Sequence, residues 1–252
     1  MHAKGDPREL VAEIEASPSL PGGSDERFSG YGVMGLPFVS GHILALRRFP
    51  ASSIGPAYRA VWHRDPAGRW TFFQDVLPEL GCARYFGASV AEVLPATIDI
   101  GWGGPRQLSV TVANGRRRLD WSVSLTSSLI TKLMSVAGSR LPEGVWRHRL
   151  FLAGMGRVAG PMMGAGKVRL AGLAPNGHRF IANPHLVWFV ADSKATLDGV
   201  DLGAIGRSPT PGRLADFWLP QRGVFAIGTA FFKTAQSNGG DAGSVESTPR
   251  AG

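Results

Sequence analysis

Three side chains in this sequence could move a proton: His63, Asp99 and Asp120. Each aspartate sits in an alternating stretch with apolar residues on either side of it. If both lie on one face that lines a cavity, desolvation would raise a carboxyl pKa and make an acid/base pair. If that face meets water, they are ordinary solvated strand residues. His63 reads either as a general base or as a packed core imidazole. For ligand contacts, Trp62, Tyr85 and Trp102 offer aromatic walls. Arg47, Arg59 and Arg84 could grip an anionic group bidentately, or simply stay on the surface.

Other chemistries have weaker support. His42, His63, His148, His178 and His185 fall at no metal-ligand spacing, and Cys82 is the one cysteine, so no metal site is expected. No G-x-S-x-G elbow is present. Gly30-Tyr31-Gly32-Val33-Met34-Gly35 satisfies G-x-G-x-x-G, but no helix start follows it to hold a pyrophosphate. The match at Gly154–Ala159 lies within a helical stretch and runs into Pro161. No cofactor is called for.

The elements that must position these residues are mainly strands. Tyr58–Asp75 reads as a hairpin around Asp65-Pro66-Ala67-Gly68, where Pro sets the turn and Gly68 can take positive φ. Placing Arg64 opposite Arg69 puts His63 against Trp70, Val61 against Phe72 and Arg59 against Gln74. Ala96–Gly103, Gln107–Ala113 and Arg118–Leu125 then form a meander, with an Asn114-Gly115 hairpin turn. Its apolar face carries Ile98, Ile100, Trp102, Leu108, Val110, Val112, Leu119, Trp121, Val123 and Leu125. Asp99, Ser109, Thr111, Asp120, Ser122 and Ser124 take the other face, with Asp99 and Asp120 two strands apart.

Around these, Asp6-Pro7-Arg8-Glu9 marks a helix start that carries Leu10, Val11 and Ile14 to about Ala16. Ser17–Gly30 reads as a Pro/Gly/Ser-rich arm. Gly41–Phe49 is a strand. The period changes from 2 to about 3.6 after Leu125, which predicts a helical pair over Ser127–Ser139 and Val145–Met155, packed through Leu133, Met134 and Leu152. Gly156, Gly160 and Gly164 would allow close helix packing, with a homodimer contact as an alternative. Strand pattern returns at Lys167–Leu173, His178–Ile181 and Leu186–Ala191, and Gly223–Phe232 is a last strand or short helix. Ala235–Gly252 is expected to be disordered. The fold class is therefore mainly β (α+β): an antiparallel β-barrel or β-cone with a helical pair inserted at about 127–160. The organisation is an N-terminal helix and arm over 1–29, a single β-rich domain over 30–234 and a disordered tail over 235–252.

Bulk composition fits that picture. The 252 residues are 44% hydrophobic, with 34 glycines and 18 prolines, which suits many strands joined by turns. Net charge is +8, yet the arginines are spread along the chain with one short cluster, Arg116-Arg117-Arg118, so a nucleic-acid groove is not expected. No run reaches the ~18 to 20 apolar residues of a membrane span. The N-terminus lacks the apolar core of a signal peptide, and the chain reads as cytoplasmic.

The stretches GHILALRRFP, VWHRDPAGRWTFF, CARYFG and RLADFWLPQRG resemble a group of bacterial proteins with no assigned activity. More distantly, SGHILAL, Gly55-Pro56-Ala57-Tyr58 and the later meander resemble the acetoacetate decarboxylase-like β-cone proteins; lipocalin-like barrels fit the strand pattern as well. The decarboxylase resemblance implies a Schiff-base lysine, but Cys82–Gly87 stands where its motif would fall. None of Lys4, Lys132, Lys167, Lys194 and Lys233 sits in a comparable motif. The expected function is binding of an apolar or aromatic small molecule in a barrel or cone pocket, with cofactor-independent acid/base chemistry of cyclase, isomerase or lyase type. A non-catalytic carrier or sensor, or a peripheral membrane or protein-interaction role, is the alternative.

Overall fold

The computed structural model describes residues 5–126 and 169–234. The helical pair, the Gly156/Gly160/Gly164 spacing and the tail lie outside the described residues. Helix α1 (Pro7–Ala16) begins as its sequence dictates: the Asp6 side chain accepts from Glu9 N, and the Glu9 side chain accepts from Asp6 N.

The strands are β1 (Glu26–Pro37), β2 (Ile43–Ser52), β3 (Tyr58–Arg64), β4 (Trp70–Gln74), β5 (Glu92–Pro95), β6 (Thr97–Gly104), β7 (Gln107–Ala113) and β8 (Arg118–Leu125). They continue with β9 (Ala171–Leu173), β10 (Arg179–Leu197), β11 (Val200–Asp201), β12 (Arg213–Leu214), β13 (Phe217–Trp218) and β14 (Val224–Lys233). A single helical turn, α2 (Ala83–Phe86), sits between β4 and β5. Among the described residues, no helix is long and apolar enough to cross a membrane.

Ten strands make one curled, mixed sheet in the order β5-β4-β3-β2-β1-β14-β10-β8-β7-β6, a strongly curled half-barrel. All neighbours are antiparallel except the parallel pair β4–β5. Strand β10 makes the corner: Arg179–Phe189 pairs with β14, and Val190–Leu197 pairs with β8 across a bulge between Val190 and Asp192. The two ends of the order, β5 and β6, are consecutive in the chain with only Ala96 between them. The chain therefore passes directly from one edge strand of the sheet to the other.

Curling gives the sheet two apolar layers. Val33, Leu44, Leu46, Val61, Phe73, Val110, Trp121 and Phe225 fill the inside of the curl. Tyr58, Ala60, Trp62, Phe72 and Phe232 face outward from the first half, covered by Cys82, Tyr85 and Phe86 of the α2 region and by Leu214 and Phe217 of the β12–β13 hairpin. The meander forms as the alternation predicts, with Val110 and Trp121 buried; Ile100 is only partly buried, at the edge of the inner core.

Three readings of the sequence are corrected. The arm over Ser17–Gly30 conceals the start of β1, a central strand that pairs with both β2 and β14. Its glycines disguise it, yet a Cβ on Gly30 or Gly32 would lie 2.0 Å from the Arg48 or Leu46 carbonyl oxygen, so the pairing needs them. His178–Ile181 and Leu186–Ala191 are parts of one strand, β10, because Pro184 sits beside a bulge where its missing N–H is tolerated. The hairpin register is shifted by one residue: Arg64 pairs with Trp70, His63 with Thr71 and Trp62 with Phe72. Asp65 N donates to Arg69 O, and Gly68 at φ +90° closes a three-residue loop rather than a four-residue one.

Helix α1 plugs one end of the curl with Leu10 and Val11. Glu15 clamps it there, accepting from Arg48 Nε (2.8 Å) and Nη2 (2.6 Å) and from Tyr31 Oη (2.8 Å). Burial works against the Glu15 charge, but these hydrogen bonds outweigh it and hold the carboxyl below its ordinary value of 4.5. The clamp's stability is therefore present above about pH 4.5 and lost as pH falls through the lower folded-state value. Glu15→Gln should cost about 1 kcal/mol at pH 7. In urea titrations that gap should close on acidification; a gap independent of pH would show that charge plays no part.

Candidate functional site

Strand alternation sets the site. On the outward face of the first half, period-2 positions carry unusually little bulk: Gly30 and Gly32 in β1, Ala226, Gly228 and Ala230 in β14, and Ala182 in β10. Gly30 lies directly opposite Gly228. Large rings surround this bare patch, and α2 with β13 covers it. The result is a cavity of about 100 Å³ lined by Met34, Phe49, Phe86, Phe180, Phe217 and Phe232, among others. The rings lock one another in place: Tyr85 stacks on Phe232 at 3.6 Å, and Trp62 stacks on Phe72 at 4.5 Å.

One end of the cavity is polar and consists of Arg47, Tyr58, Trp62 and Cys82. Pairing between β1 and β2 lapses between Tyr31 and Leu36, which leaves β1 carbonyls facing a gap. Arg47 fills it, donating from Nη1 to Val33 O (2.7 Å) and Leu46 O (2.9 Å) and from Nη2 to Met34 O (3.1 Å). Its guanidinium lies over the Trp62 ring at 4.5 Å and faces Phe217 at 5.8 Å. The residue is partly accessible yet enclosed by protein, because its open surface is cavity wall. Burial lowers its pKa to about 10.

Tyr58 Oη lies 3.4 Å from Cys82 Sγ. Burial, with the Cys82 sulfur beside it, pushes the Tyr58 phenol well up; burial also raises the Cys82 thiol. The Trp62 indole N–H lies near enough to the thiol to favour its charged form, but makes no hydrogen bond of sound geometry.

The α2 wall is pinned at both ends. Buried Gln74 accepts from Ala83 N (3.4 Å) and donates to Val76 O and Leu77 O (both 3.0 Å). At the far end Glu26 accepts from Tyr85 Oη (2.6 Å) and Arg84 Nη2 (2.6 Å). Burial, followed by the Glu26 bond, raises the Tyr85 phenol.

Of the residues singled out from sequence, Trp62 and Tyr85 line this cavity, as does Arg47. Arg84 is adjacent but engaged with Glu26, and Arg59 pairs with Asp75 at 3.0 Å on the other face of β3. Trp102 belongs to the rim of the inner core, against Phe225. Asp99 and Asp120 do share one face, each in register with Thr111, but that face is the outside of the meander. Asp99 is exposed, and Asp120 accepts from Arg118 at 2.7 and 2.8 Å. The expected common interior for His63, Asp99 and Asp120 does not form, because the apolar side of the meander turns inward and desolvating carboxylates there would be costly.

His63 is buried beside His42, with Nε2 2.9 Å from His42 Nδ1 and the rings 19° from coplanar. That is an in-plane N–H···N hydrogen bond. Burial and then the His42 ring drive His63 down to about 4, with Arg117 adding to this and Asp65 and Asp198 opposing it. Burial lowers His42 too, against Asp65. The unfolded chain takes up these protons first, so the pair's stability is fully present above about pH 6.5 and lost as pH falls toward 4. Urea unfolding at pH 7 and pH 4.5 should differ by on the order of 2 kcal/mol through this pair. His63→Gln should remove that difference, and its persistence would assign the acid sensitivity elsewhere.

The cavity was missed in sequence because its signal is faint: small residues at period 2, Gly30/Gly32 and Ala226/Gly228/Ala230, in strands far apart in the chain. No protein-family model and no curated protein matches this chain. Among solved structures, it shows a distant resemblance to acetoacetate decarboxylase from Legionella pneumophila, with 11% identity and a TM-score of 0.39 over 89% of this chain and 93% of that one. Among the described residues no lysine lines the cavity.

Proposed function

We propose that this protein is a non-catalytic binder, a carrier or sensor, of a small apolar molecule held in the cavity on the outer face of β1, β2, β14 and β10. The observation that carries this reading is the cavity itself, a bare patch at Gly30, Gly32, Gly228 and Ala230 walled by aromatic rings, and the charge states of its polar groups agree with it. Tyr58, Tyr85 and Cys82 are all held above their ordinary values, and Arg47 at about 10 stays charged at neutral pH. Each keeps its proton, so none can act as a general base. Aromatic walls and a largely pre-formed pocket support binding instead.

The test uses single-ring probes such as toluene and indole, followed by ligand-observed NMR and by quenching of tryptophan fluorescence. Wild type should bind them, and Ala230→Leu, which extends a side chain into the cavity, should bind at least about tenfold more weakly with its fold intact. Equal binding by the two proteins would place the probes elsewhere and end the proposal.

A further inference from the structure

We infer that the ligand is a monocarboxylate with an apolar body of about single-ring size, its carboxylate seated against Arg47. This rests on the binding reading above and adds the ligand's chemical class.

The polar end of the cavity is almost wholly donor. Arg47 has five N–H donors, of which three go to carbonyls, so Nε–H and one Nη2–H have no acceptor among the described residues. The Trp62 N–H, on a side chain 2% exposed, has no partner of sound geometry. Tyr58 O–H and Cys82 S–H stand beside them, both held in protonated form. Against these stand the Tyr58 oxygen and a sulfur, both weak acceptors here; the Asn183 side-chain oxygen, also without a partner, belongs to the β10 part of the lining.

Arg47 has no carboxylate partner among the described residues; its neighbours are carbonyl dipoles and two aromatic faces. A charge enclosed in this way is balanced best by an anion that brings several acceptor lone pairs. A carboxylate meets both demands, offering its two oxygens to the guanidinium N–H groups that the carbonyls leave over.

The remaining walls limit the rest of the ligand. Apart from Asn183 and Thr229 they are aromatic and aliphatic, so the body is mainly apolar. The other nearby cation, Arg84, is already committed to Glu26, so a second carboxylate would find no counter-charge there. An apolar cavity of 150 Å³ is known to take benzene. At about 100 Å³, with one open side, this cavity suits a single ring or a short branched chain that projects toward the mouth. A bicyclic body would have to part the Tyr85–Phe232 stack.

Two experiments on the full chain test this. In the first, benzoate is compared with benzamide and benzyl alcohol, which match its shape without its charge. Benzoate should bind on the order of ten- to a hundredfold more tightly, the range for charge-assisted hydrogen bonds, and Arg47→Met should erase that margin. Because Arg47 also caps the β1 carbonyls, that variant could fail to fold, and the second experiment uses wild type alone. Alkylation of Cys82 by iodoacetate or iodoacetamide would bond Sγ to the methylene carbon, release iodide and pass the thiol proton to solvent. Toward a free thiol the uncharged reagent reacts faster. At Cys82 the order should invert, and benzoate should protect.

If benzamide binds as well as benzoate and iodoacetamide stays faster, the anion inference falls while the apolar cavity stands. If no ring compound binds or protects, the cavity reading falls with it. Preference for benzoate that survives in a folded Arg47→Met protein would also overturn the assignment, because the charge would then be read elsewhere.

Discussion

Gly228→Ala is expected to destabilise the protein by about 3 kcal/mol or more, a large effect for one methyl group. Gly228 lies mid-strand in β14, opposite Gly30 in β1 and Pro184 in β10. A Cβ there would stand 2.0 Å from the Asn183 carbonyl oxygen and 2.9 Å from Pro184 Cα. Both obstacles are backbone at the heart of the sheet, so no rotamer change relieves them. The strands must separate, and the ladder on either side weakens. Gly115→Ala provides the contrast, since Gly115 sits at φ +81° in an open turn with nothing near its missing Cβ. It should lose only about 1 kcal/mol, the cost of a positive φ for an L-residue. Urea unfolding of both variants separates steric from conformational cost. A Gly228→Ala loss as small as that of Gly115→Ala would mean that the close approach of β14 and β10 is wrong.

Trp62→Ala should cost about 3 to 5 kcal/mol, the usual range for removing a buried tryptophan. Trp62 holds the outer layer together: it stacks on Phe72, meets Phe86 and Phe217 at 5.4 and 5.9 Å, and supports the Arg47 guanidinium. Its loss should also abolish ligand binding, because the cavity loses a wall and Arg47 loses its platform. Trp62→Phe keeps a ring over Phe72 and should recover much of the stability. It narrows the aromatic platform under the Arg47 guanidinium, however, so any preference for a carboxylate over its amide should shrink. Stability measured together with the benzoate-to-benzamide ratio distinguishes the two roles. A Trp62→Ala loss below about 1 kcal/mol would show that the outer cluster is not a packed layer.

How much could be read beforehand depended on how local the cause was. The first helix was legible to the residue, because the Asp6–Glu9 capping box and Pro7 act within one turn. The meander was legible because alternation is a property of each strand alone, and its apolar row turns inward as the pattern says, with Ile100 and Trp102 only partly buried. The hairpin's existence was legible too, but its register was not. Three- and four-residue loops differ only in whether Asp65 and Arg69 pair, and the Asp65 carboxylate decides that by accepting from Arg69 N at 2.9 Å and Nε at 2.8 Å.

Alternation also settles that Asp99 and Asp120 share a face. It does not say which face of a sheet curls inward, and that choice belongs to the apolar side because desolvated carboxylates cost more than exposed ones. The cavity was least legible of all. Gly30, Arg47, Cys82, Ala182 and Gly228 come from distant parts of the chain, and each has an ordinary local explanation as turn former, surface charge or core filler. Only the curl of the sheet brings them together. Sequence alone therefore determined the strands and their alternating faces, since those follow from period and turn chemistry within a few residues. The tertiary structure decided where the empty space lies, because a void is defined by what several distant strands fail to place there.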